Sequence, residues 1–76
     1  MEKIIYVQLL NEGTVVFRPV SSVEIAPKIF KVGGNDIHNS QNEKWEFLPD
    51  TIVEVEEKKL EERNVLVAVR QIDSNT

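Results

Sequence analysis

The chain has no cysteine. That removes disulfide staples and thiolate metal sites, and it accords with a cytoplasmic location. Histidine occurs once, as His38. A single imidazole beside Asp36 and Asn39 is a poor zinc site, so neither a metal nor a cofactor is expected. Without cysteine, and with one histidine in a polar stretch, nucleophilic catalysis has little to draw on. Ser21 or Ser40 can be paired with His38 on paper, but no spacing favours a triad. No catalytic residue is assigned, and the protein is read as not an enzyme. Long apolar runs are also missing. Ile4-Ile5-Tyr6-Val7 falls far short of the ~20 residues that span a bilayer, and no charged-then-apolar leader precedes it. No membrane partner is expected. Nor is there an excess of base: nine lysines and arginines face thirteen acids, for a net charge of −4. That balance argues against a nucleic-acid partner, although it leaves room for a local basic patch.

What is present is strand-like. At 76 residues the chain suits one domain, which buries only about 60% of its unfolded surface. Lys3 to Leu10 alternates, with Ile5, Val7 and Leu9 on one face. Asn11-Glu12-Gly13 supplies a turn, with Gly13 free to take a positive φ. Thr14 to Val20 forms the return strand of a hairpin, and Pro19 marks its end, an edge or a bulge. Ser21-Ser22 reads as a break before Val23-Glu24-Ile25. Pro27-Lys28 turns into a strand over Lys28–Val32, with Phe30 and Val32 on one side. A polar loop over residues 33–44 follows, long for so small a domain.

Lys44 to Thr51 is the pivot of the pattern. Trp45 and Phe47 alternate around Glu46, and each aromatic can bury about 150–250 Å². Leu48-Pro49-Asp50-Thr51 reads as a turn. Thr51 to Leu60 alternates again, with Val53 and Val55 inward. A turn at Glu62-Arg63-Asn64 leads to Val65-Leu66-Val67-Ala68-Val69, apolar on both faces and therefore central or covered by a partner. The expected fold is all-β: a small antiparallel five- to six-stranded barrel, SH3-like, with an OB-like barrel as the alternative. Residues 1–72 make the single β-barrel domain, and 73–76 are a flexible tail.

Gly13-Thr14-Val15-Val16-Phe17-Arg18-Pro19-Val20, followed by Glu43-Lys44-Trp45-Glu46-Phe47-Leu48-Pro49-Asp50, resembles a group of small bacterial proteins of unknown function. In that group a Leu-x-x-Gly-Thr-x-x-x-Arg-Pro-Val hairpin precedes a Trp-Glu-Phe segment and a Pro-Gly turn. The likeness runs from about Tyr6 to Val69. Asp50 stands where glycine is expected. The resemblance implies no activity and no functional residues.

The candidate binding surface is Arg18, Lys31, Gly33, Gly34, His38, Lys44 and Trp45. Trp45 is either a core aromatic or a platform for a partner. Arg18 either pairs with Glu46 or stacks on Trp45, or the two line a groove. Gly33-Gly34-Asn35 either ends a strand or offers N–H groups to an anion, with Lys28, Lys31 and Lys44 close by. His38 reads first as an exposed loop residue. Glu54, Glu56, Glu57, Glu61 and Glu62 read first as a solvated face that guards an edge, and second as a dock for a basic partner. Three functions follow: a non-catalytic protein-binding module, which leads; an oligomeric binder of an anionic small molecule such as a nucleotide; and a homo-oligomer formed to cover the apolar faces.

Overall fold

The computed structural model describes residues 2–37 and 43–72. Six strands form one sheet: β1 (Glu2–Leu10), β2 (Val16–Ala26), β3 (Ile29–Lys31), β4 (Lys44–Trp45), β5 (Ile52–Leu60) and β6 (Arg63–Gln71). The order is β2-β3-β5-β6-β1-β4, and β1 also pairs with β2. Five strands therefore close a ring and β4 extends β1 outside it, giving an all-β, roughly barrel-like fold. Along the ring each strand is followed by its neighbour. This is an up-and-down order, unlike the Greek key of an OB-type barrel.

An up-and-down ring with an odd number of strands must close through one parallel seam. That seam is β1–β6, bridged at Tyr6↔Val67. The sheet is thus mixed, where an antiparallel one was expected. The other five pairings are antiparallel.

The alternating pattern sets the core. Ile5, Val7 and Leu9 of β1 are buried with Val20, Phe30, Val32, Trp45, Phe47, Val53, Val55 and Ala68. β2 does not break at Ser21-Ser22, as the serines suggested. Ser22 is 1% exposed, yet its hydroxyl donates to the Val20 carbonyl and accepts the Gly33 N–H at 3.1 Å. A buried hydroxyl with partners costs little, so the strand continues to Ala26. Register shifts add one residue to β2 at Ile25 and one to β6 at Val69. β6 lies between β5 and β1, which accounts for its apolar character on both faces. Leu66 and Ala68 serve the core, and Val67 is only 3% exposed on the opposite face.

The turns depart from expectation in detail. In the first hairpin Asn11, not Gly13, takes the positive φ, at 63°. The last hairpin turns on Glu61-Glu62, with Leu60 opposite Arg63, one residue earlier than expected. Both glutamates have positive φ, 49° and 69°, the signature of a type I′ turn. At Leu48–Thr51 the Thr51 N–H donates to the Leu48 carbonyl at 3.2 Å, and Asp50 has φ 74°. With Pro49 before it, this is the type II pattern, whose third residue is usually glycine. The tail expected over 73–76 lies outside the described residues. The Ile72 N–H is still bonded to the Ile52 carbonyl, at 2.8 Å.

Candidate functional site

The region around Trp45 is built as a support. Leu9 lies opposite Trp45, and the indole is 2% exposed. Trp45 therefore belongs to the core and presents no open platform. Its Nε1 donates to Glu43 Oε1 at 3.0 Å. The other oxygen of the same carboxylate takes Arg18 Nη1, at 3.3 Å. Arg18 neither pairs with Glu46 nor relies on stacking. One acid, Glu43, ties the arginine of β2 to the tryptophan of β4. Arg18 Nε is buried and has no hydrogen-bond partner among the described residues.

The two glycines serve packing. Gly34 has φ 87°, and a Cβ there would come within 2.8 Å of Trp45 Cη2. A Cβ on Gly33 would collide with the Ser21 carbonyl oxygen. The Gly33 N–H is already given to Ser22, which removes one donor from any anion-binding nest. Lys31 is exposed and lies 3.9 Å from Asp50, while Lys44 is also exposed. His38 lies outside the described residues. The structure thus joins Arg18, Gly34 and Trp45 in one packed unit and leaves Lys31 and Lys44 on the surface. Among the described residues no group of three acids or histidines could hold a metal. Among the same residues no helix is long and apolar enough to cross a membrane.

A more open feature lies elsewhere. A cleft of about 530 Å³ separates the first hairpin from the last. Tyr6, Val15 and Phe17 line one side, and Leu60, Arg63 and Val65 the other, with Glu61 at the turn. A second hollow of about 370 Å³ adjoins it and shares Tyr6, Arg63 and Val65, adding Ile4 and Leu66. Arg63 Nη2 donates to the Tyr6 hydroxyl at 3.0 Å, bridging the two hairpins. Exposed aliphatics flank the hollows, with Val15 at 69% and Ile4 at 53%.

These residues were absent from the surface expected around Trp45. A signal for them existed. Ile4 and Tyr6 fall on the face of β1 opposite Ile5 and Val7, and Val65 on the face of β6 opposite Leu66. Apolar residues at outward positions of two neighbouring strands mark a covered or covering surface. No family model matches the chain, and no curated protein or solved structure matches it either.

Proposed function

We propose that this domain is a non-catalytic protein-interaction module that receives a partner segment in the cleft between its first and last hairpins. The observation that carries this reading is the cleft itself. It is about 530 Å³, lined mainly by apolar side chains, and flanked by exposed Val15 and Ile4. Such a volume suits anchoring side chains of a ligand, within the ~300–1,000 Å³ of ordinary binding pockets. Tyr6, Phe17 and Arg63 belong to types enriched among residues that dominate binding energy. The Trp45 region supports the cleft indirectly, by fixing β1 and β2 from behind. A nucleotide or other anion at Gly33-Gly34 has less in its favour, because the Gly33 N–H is engaged. The resemblance to small bacterial proteins belongs to this reading and brings no activity of its own. A cytoplasmic location belongs to it too, and cell fractionation checks it.

A photo-crosslinking amino acid placed at Val15, in its native cells, tests the proposal. A matched probe at Lys44 reports on the opposite assignment. Covalent adducts from position 15 and none from position 44 are expected. Adducts from position 44 alone, or from neither, would overturn the reading. An adduct of the chain's own 8.7 kDa would identify a homo-oligomer instead.

A further inference from the structure

The chemistry of the cleft narrows the kind of segment it takes, on the footing that the cleft is the binding site. Arg63 is the starting point. It lines both hollows and lies where they meet. The Tyr6 hydroxyl takes one of its five donors and fixes the side chain across the apolar wall. The other two arginines are each matched to an acid: Arg18 to Glu43 and Arg70 to Glu54. Arg63 has no carboxylate within ion-pair distance among the described residues, in a chain of net charge −4. Glu61 is the one acid on the cleft wall. It lines only the larger hollow, while the cation stands at the junction.

Apolar side chains lie on both sides of that junction. Val15, Phe17 and Leu60 are in the larger hollow, and Ile4 and Leu66 in the smaller. A segment whose carboxylate meets Arg63 therefore needs an apolar side chain to each side. The hollows share three lining residues, so those side chains must follow closely on the acid. An extended chain provides this, because residues two apart share a face at about 6.5 Å. We infer that the partner segment is an extended peptide of the form apolar-x-acid-x-apolar, with its aspartate or glutamate on Arg63 and its apolar side chains in the two hollows. The guanidinium fork accepts a carboxylate in two-point fashion while Tyr6 holds it in place.

The test selects a displayed library of random linear peptides on the whole 76-residue protein. Enriched sequences are then made as capped peptides and titrated calorimetrically against the wild type, Arg63→Gln and Tyr6→Phe. Amide shifts at Tyr6, Phe17 and Val65 locate the complex. The expected consensus has an acid between apolar residues at two-residue spacing. Arg63→Gln should weaken it about ten-fold or more, the scale of a charge-assisted bond, and the loss should vanish for the Asn or Gln version of the peptide. Tyr6→Phe should give a smaller loss through the same pairing. Peptides that shift the cleft amides but carry no acid, or bind Arg63→Gln equally well, would overturn this inference and leave the interaction module standing. A basic consensus, drawn by Glu61, would do the same. Peptides that shift only residues away from the cleft, or a library without enrichment, would overturn both.

Discussion

Replacing Glu61-Glu62 by Asn-Gly should stabilise the protein, and the size of the gain can be worked from its backbone. Both glutamates sit in the left-handed region, at φ 49° and 69°. For an ordinary L-residue that conformation costs roughly 1–2 kcal/mol each. Asparagine tolerates it better, and glycine adopts it freely. Against this, glycine enlarges the entropy of the unfolded chain by about 0.4–1 kcal/mol. Taking the low end of the conformational cost at each position and subtracting the glycine term leaves a net gain of about 1 kcal/mol. For a domain of this size that corresponds to a rise in Tm of about 4–8 °C. Thermal unfolding followed by far-ultraviolet dichroism reads it directly. The substitution also removes two negative charges from a chain of net charge −4. Glu61→Gln with Glu62→Gln removes the same charges and keeps the backbone cost. If that variant gained as much as Asn-Gly, the argument from φ would fail and charge repulsion would be the cause. If neither gained, the turn would not hold the glutamates in this conformation.

Gly34→Ala should lower stability by about 2 kcal/mol, since φ 87° is strained for alanine and its Cβ would meet Trp45 at 2.8 Å; chemical denaturation measures it. Glu43→Ala should cost about 1–2 kcal/mol by removing the shared acceptor of Arg18 and Trp45. Glu43→Gln, which can still accept from the indole, should recover part of that loss in the same denaturation assay. Asp50→Gly should raise Tm by a few degrees, because glycine suits φ 74° and the 3.9 Å pair with Lys31 is exposed and weak. Added salt should leave the Asp50→Gly difference almost unchanged, as expected for a backbone effect.

The strands were legible because their burial follows a period of two. Ile5-Val7-Leu9 and Val53-Val55 needed no information beyond their own alternation, and both sets are in the core. Trp45 and Phe47 were legible in the same way. Ser21-Ser22 misled because composition records that serines favour turns, while the partner that makes Ser22 welcome in a strand, the Gly33 N–H, lies eleven residues away. Arg18 misled for a similar reason. Its acid is Glu43, beyond the ends of the strands that alternation identifies, so cross-strand pairing pointed to the wrong glutamate. The parallel seam follows from counting strands around the ring, yet the count is secure only once the strand over Val16–Ala26 is known to be continuous.

The candidate surface was harder to read than the core, and the cause is physical. Long polar loops and a lone tryptophan draw attention in a sequence because such features often carry binding. In a domain this small, however, a large aromatic is first needed to fill the interior. Once Trp45 is committed to the core, Gly33 and Gly34 are committed with it, since they make room for its ring and for the neighbouring strand. Surface function must then come from side chains the core does not need. Tyr6, Phe17, Val65 and Arg63 meet that condition: they lie on strands whose opposite faces already supply the core. Apolar residues left at outward positions, beside an arginine without a carboxylate, therefore say more about binding here than the conspicuous tryptophan does.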